Sequence, residues 1–198
     1  MTKRVGAALL GLLAVAGAGR AGEKEIIERL EKAGAFVGRD ESGDGDKDAL
    51  EVKYSPGLDG DPNLPELCEL RRLRSLKLSG NRITDAGMGG VGGLTQLRSL
   101  GLSGTAVGDA GLKELRGLRN LESLYLSHTG VTDAGLDDLA GLTGLRLLDL
   151  NGNGVTDAGI ESLARLRGLR RVYLRGTGVT EEGAARLRQA LPDCEVYR

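Results

Sequence analysis

From Leu73 the chain repeats itself every 24 residues, and no other property restricts its fold as much. Five rows align without a gap, opening LRSLKLSGNRITDAGM, LRSLGLSGTAVGDAGL, LESLYLSHTGVTDAGL, LRLLDLNGNGVTDAGI and LRRVYLRGTGVTEEGA. One row earlier, from Ala49, the register still holds: Val52 stands for Leu76, Tyr54 for Leu78, Leu64 for Met88, Leu67 for Val91 and Leu70 for Leu94. Six rows result, the first degenerate as terminal repeats tend to be. A fixed period of this length marks a stacked array rather than a globule with one central core.

Each row has two chemical halves. In the first, Leu76 and Leu78 alternate with Ser75, Lys77 and Ser79, the period of a strand with one buried face. In the second, apolar residues recur three apart, as in Leu112, Leu115 and Leu118, which reads as a short amphipathic helix. Thr84, Thr132, Thr156 and Thr180 stand where such helices take an N-cap. Asp85, Asp109, Asp133 and Asp157 follow at the first helical position, where a carboxylate suits the positive end of the helix dipole. At position 108 the cap is Gly, so that helix should start less firmly.

A single row cannot stand alone. The row from Leu97 can bury seven apolar side chains at about 1.5–3 kcal/mol each, against about 1–2 kcal/mol of backbone entropy for every residue ordered. Neighbouring rows that share a core can stand. Composition agrees: there is no Trp and one Phe, but 33 Gly, so the core is Leu in small stacked units. Gly87, Gly111, Gly135, Gly159 and Gly183 share one position near the helix start. Gly costs helix stability there, and close approach of adjacent rows is the expected compensation.

The pattern L-x-x-L-x-L-x-x-[NT]-x-[VI]-T-D-x-G-L resembles the leucine-rich-repeat family, in the T-x-V-T-D-x-G-L form found in exported bacterial proteins. The resemblance covers residues 49–198. It implies an α/β fold: a right-handed, ribonuclease-inhibitor-like horseshoe with a parallel concave sheet, short convex helices and a helical N-terminal cap. It also implies that Asn81, Thr105, Thr129, Asn153 and Thr177 occupy the family's ladder position, usually Asn, which bonds loop backbone between rows. Three Thr there imply a weaker or differently bonded ladder.

Residues 1–21 have the layout of a secretory signal peptide: Lys3 and Arg4, an apolar run from Val5 to Ala18, then small residues. The run has 14 residues, short of the ~20 that span a bilayer. An exported protein in the periplasm, the cell envelope or the medium is expected, with no membrane insertion after signal removal. Residues 22–48 should cap the array, with a helix from Glu23 to Ala35 that covers the first row together with Phe36 and Val37. At the other end, a helix over Glu181–Ala190 stopped by Pro192 should precede a last strand, Cys194 to Tyr197. Cys68 and Cys194 would then lie about five strand spacings of ~4.8 Å apart, beyond the ~7 Å limit for a disulfide, so both should be free thiols.

The concave face is where a partner would bind. Its exposed strand positions form three columns. Tyr and Arg are the usual anchors of protein interfaces, which singles out Tyr125, Arg171, Tyr173 and Arg175, helped by Asp149. The expected function is a non-catalytic, monomeric protein-binding module without a cofactor. The alternative is a structural or adhesive component of the cell envelope. In that case the segment DESGDGDKDALE could matter, because Asp40, Ser42, Asp44, Asp48 and Glu51 match a twelve-residue calcium loop. Lys47 and the strand-like LEVKY that follows count against calcium, so an acidic solvated turn is the reading adopted. His128, the one His, lies near Ser103, Ser127 and Asp149 on paper, but those Ser are simpler as small polar fillers. The charges nearly cancel, 27 basic against 28 acidic, and the Arg cluster at 165–175 is local, which disfavours nucleic acid.

The row from Leu73 carries Gly87, Gly89, Gly90, Gly92 and Gly93 in its helix half, at about 1 kcal/mol each relative to Ala. An irregular convex segment is expected, held by Met88, Val91 and Leu94. Its amides should exchange with deuterium faster than those of residues 112–118; equal protection would contradict this.

Overall fold

The computed structural model describes residues 20–39, 50–55, 57, 67 and 69–198. The proposed signal peptide falls almost wholly outside these residues, as do the acidic turn from Asp40 to Ala49 and Cys68.

The strand halves of the rows form one eight-stranded sheet whose strand order follows the sequence. Strands β2 (Leu50–Tyr54), β3 (Leu73–Lys77), β4 (Ser99–Gly101), β5 (Ser123–Tyr125), β6 (Leu147–Asp149), β7 (Arg171–Tyr173) and β8 (Glu195–Tyr197) run parallel. Their pairing is the sequence period itself: Leu76 lies beside Leu100, Leu100 beside Leu124, and Leu148 beside Val172. That inward column is fully buried, as is the next one, Leu78, Leu102, Leu126, Leu150 and Leu174. The leucine-rich-repeat architecture expected from the sequence is therefore the one observed.

The convex side differs from the expected α-helices. Asp85–Gly93, Lys113–Gly117 and Asp133–Leu139 are 3₁₀ segments, and α2 (Asp109–Leu112) and α3 (Ile160–Ala164) are about one turn each. The reason lies in the spacing. Residues three apart, such as Met88, Val91 and Leu94, fall on one line of a helix with three residues per turn. All three are fully buried, like Leu112, Leu115 and Leu118. The glycine-rich row is thus no exception to its neighbours. Gly92 has a packing reason as well, since a Cβ there would lie 2.8 Å from the Glu114 carbonyl oxygen.

The first-turn aspartates act across rows. The carboxylate of Asp109 accepts from the Thr132 amide at 2.8 Å and from its hydroxyl at 2.6 Å. Asp133 binds Thr156, and Asp157 binds Thr180, with the same two distances. Each of these Thr hydroxyls also accepts from an amide in its own first turn, Ala134, Ala158 or Gly183. Thr84, expected to cap in the same way, makes no such side-chain bond. Gly108 has no hydroxyl to offer, and Asp85 instead accepts from the amides of Gly108 at 2.7 Å and Gly111 at 2.9 Å. The start of α2 is therefore held from the row before, which offsets the missing cap.

This arrangement explains the recurrent Gly two residues after each Asp. A Cβ on Gly111 would lie 2.7 Å from Asp85 Oδ1, and one on Gly159 2.5 Å from Asp133 Oδ1. Gly135 and Gly183 stand against Asp109 and Asp157 in the same way. Close approach is the compensation expected for glycine at a helix start.

The ladder position is divided between two chemistries. Asn153 donates to the carbonyls of Leu150 at 3.1 Å and of Leu126, one row back, at 2.7 Å; its Oδ1 accepts from Thr129 and Val131. Thr105, Thr129 and Thr177 donate to carbonyls three residues earlier, those of Leu102, Leu126 and Leu174. All three threonines bond within their own turn, and Thr129 also reaches Asn153 in the next row.

The N-terminal cap differs from expectation. Helix α1 spans Arg20–Lys32, and Ala35–Arg39 is strand β1, paired antiparallel with β2. Ile26 and Leu30 are buried and Ile27 partly so, as the apolar spacing implies. Phe36 does not cover the first row. It pairs with Lys53 on the outer side of the sheet and is 59% exposed, while its neighbour Val37 faces the core. At the C-terminal end, α4 spans Glu181–Ala190 as expected, and β8 follows with Val196 beside Val172. Cys194 is a free, buried thiol, and burial pushes its pKa up to about 11.

Gly135→Ala should cost about 2–3 kcal/mol through overpacking against Asp109. In an Asp109→Ala background the same change should cost less than half as much. A thermal double-mutant cycle measures the coupling, and strictly additive effects would contradict the packing account.

Candidate functional site

The outward positions of the strands stack into columns, because paired residues share a face of the sheet. The second column runs Phe36, Lys53, Lys77, Gly101, Tyr125, Asp149, Tyr173, Tyr197. The first runs Glu51, Ser75, Ser99, Ser123, Leu147, Arg171, Glu195. The middle rows carry Ser and Gly and form the low part of the face. Larger groups stand at both ends.

At the N-terminal end, Glu51 is the organising group. Its carboxylate lies 2.7 Å from both Lys53 Nζ and Lys77 Nζ and accepts from the Ser75 hydroxyl at 3.2 Å. Burial acts to raise its pKa, but the hydrogen bonds and charges of Lys53 and Lys77 outweigh this and hold it below its ordinary value. Lys53 also lies 5.8 Å from the centre of the Phe36 ring. Of the residues matching the calcium pattern, Glu51 alone falls among the described ones, and there it serves the sheet.

The five residues expected to bind a partner come together at the other end. Tyr125, Asp149 and Tyr173 are consecutive in the second column, and Arg171 is exposed in the first. Arg175 is exposed just beyond β7, its amide held at 2.7 Å by Asn151 Oδ1. Asp149 has local work: its Oδ1 accepts from the Asn151 amide at 3.0 Å and so shapes the turn that holds Arg175.

Sequence reasoning missed Tyr197. Its ring stacks on that of Tyr173 with centroids 4.8 Å apart and planes 10° from parallel. The separation is that of adjacent strands, so the stack follows from the repeat. Its hydroxyl donates to Glu195 at 2.7 Å, a bond that raises the Tyr197 pKa. The signal was available, because 173 plus the 24-residue period is 197.

His128 sits in the turn after β5. It occupies the turn position that is Gly80, Gly104, Gly152 and Gly176 in other rows, all with positive φ, and its own φ is 54°. Its ring lies against Gly152, where any Cβ would collide with it. No hydrogen bond joins it to Ser103, Ser127 or Asp149 among the described residues, and no group of acidic, His and Cys side chains there is arranged to hold a metal. No described helix is long and apolar enough to cross a membrane.

A carboxyl whose pKa is lower in the fold than in the unfolded chain stabilises the fold above its ordinary value of 4.5, and that contribution is lost as pH falls through the folded value. Glu51→Gln should therefore lower stability by about 1–2 kcal/mol at neutral pH and by progressively less as the pH is taken below 4.5. Chemical denaturation across this pH range tests this; an equal loss throughout would contradict the ion-pair account.

Leucine-rich-repeat family models match residues 70–91, 93–115 and 119–165. No curated protein sequence matches the chain. Among solved structures, a leucine-rich-repeat protein of Leptospira interrogans is 29% identical, with a TM-score of 0.61 over 73% of this chain and 36% of its own. An internalin from Listeria monocytogenes is 24% identical, with a TM-score of 0.57 over 67% of this chain and 36% of its own. The chain thus spans about a third of the length of both. The leucine-rich-repeat ectodomain of a membrane receptor kinase from Arabidopsis thaliana, solved in complex with Casparian strip integrity factor 2, is 18% identical. Its TM-score is 0.50 over 71% of this chain and 17% of its own. With the repeat period, the strand register and the matched rows in agreement, the chain belongs to the leucine-rich-repeat family.

Proposed function

We propose that this chain is a non-catalytic, exported protein-binding module that holds its partner on the C-terminal half of the concave sheet. The observation that carries the reading is the convergence there of the Tyr173–Tyr197 stack with the exposed Arg171 and Arg175. Stacked rings supply rigid contact area at low entropic cost, and exposed guanidinium groups supply directional donors. Tyr125 and Asp149 extend the patch along the second column. The Arabidopsis ectodomain, solved with a bound factor, is a protein of the same fold used for binding. Export rests on the layout of residues 1–21, whose removal would leave a mature chain starting near the cap helix.

A photo-crosslinking residue at position 125, introduced in the native cell, should capture one discrete protein, and the same residue at position 113 on the convex side should not. Tyr173→Ala with Arg175→Ala should then weaken the captured complex at least ~tenfold, as loss of interface anchors does. Binding unchanged in the double variant would remove the patch from the site.

A further inference from the structure

The rim at which the chain enters its strands is built differently from the concave face. Four rows place Arg directly after their first Leu, Arg74, Arg98, Arg146 and Arg170, where the fourth row has Glu122; Arg71, Arg119 and Arg167 stand two residues before a row start. Several of these are committed. Arg74 donates to the carbonyls of Arg71 and Leu73, Arg167 to the Ala190 carbonyl, and Arg170 lies 2.9 Å from Asp193. Arg98 lies 3.3 Å from Glu122.

In the middle of the rim, Arg98, Arg119, Asn120, Glu122, Gly144 and Arg146 line a shallow, polar hollow. Three guanidinium groups face one carboxylate, and that carboxylate is taken by Arg98. Arg119 and Arg146 are exposed and make no ion pair among the described residues. The wall between them is fixed. Asn120 donates to the Thr95 carbonyl at 2.9 Å, and the Arg146 amide donates to the Glu122 carbonyl at 2.9 Å. The floor stays low because a Cβ on Gly144 would lie 2.7 Å from the Arg119 carbonyl oxygen.

We propose that this hollow is a docking point for carboxylate side chains of the protein partner, read by Arg119 and Arg146. A guanidinium presents a planar fork that matches a carboxylate, and two such forks on a rigid rim select for acidic residues at the partner's edge. Glu122 between them, and a chain that is neutral as a whole, suit a few discrete carboxylates better than the uniform charge of a nucleic acid. The inference rests on the protein-binding reading, but it uses residues on a different surface, so either can fail alone.

The test is the binding of fluorescent poly-L-glutamate to the full chain, with heparin and duplex DNA as parallel probes. Poly-L-glutamate should bind most tightly of the three, and more weakly as salt is raised. Arg119→Glu with Arg146→Glu should raise its Kd at least ~tenfold, and Arg119→Ala with Arg146→Ala by a smaller factor. Arg186→Glu with Arg188→Glu changes net charge equally on the convex side and should leave Kd within about twofold. Circular dichroism confirms that each variant folds, and the alanine pair stands in should the glutamate pair not fold. Unchanged binding in the rim variants, an equal loss in the convex control, or heparin or DNA bound as tightly as poly-L-glutamate would each overturn the proposal.

Discussion

The carboxylate that each row extends to the next is the contact on which the stack depends. Stacked leucines supply cohesion, but leucine columns tolerate sliding, since every row presents the same side chains. The Asp–Thr pair does not. Asp109, Asp133 and Asp157 each take an amide and a hydroxyl from one residue of the following row, and the recurring Gly lets that row come close enough. Directional bonds thus set the register and apolar burial supplies the energy. Where Thr gives way to Gly108, the carboxylate of Asp85 finds two backbone amides instead, and the contact survives the loss of its usual partner.

With register settled on the strand-exit side and the core filled by leucine, the outer sheet face and the strand-start rim are free to vary. The N-terminal end of the face is spent on an internal cluster, Glu51 between two lysines, which covers the junction with the antiparallel cap strand. The C-terminal end carries the Tyr173–Tyr197 stack with the exposed Arg171 and Arg175. An array of this kind is stabilised by nearest neighbours, so a change on one row's outer face is felt by that row and the two beside it. Surface chemistry can differ from row to row without disturbing the fold, which is why the fold says less about partners than the side chains do.

Much of this was legible in the sequence, for a simple reason: a repeat states its own alignment. Once the 24-residue period is seen, strand order, inward columns and outward columns follow, and the five candidate residues fall on one surface as expected. Two features were readable but misread. Apolar residues three apart describe a three-residue turn better than an α-helix, and Tyr197 lies one period beyond Tyr173. Strand β1 was not readable, because AFVGR has no counterpart in any row and its pairing is set by the edge of β2 that it meets.

The sequence by itself determined the row, its halves, its stacking order and which residues share a face, since all of these follow from periodicity and from the burial of leucine. The tertiary structure decided what the conserved-looking letters of the row do. Thr and Asp look like cap and dipole partner when one row is read alone, and the recurrent Gly marks only that something approaches closely. Between rows they form a single interlock, because their partners lie 23–26 residues away and become neighbours only when the stack closes.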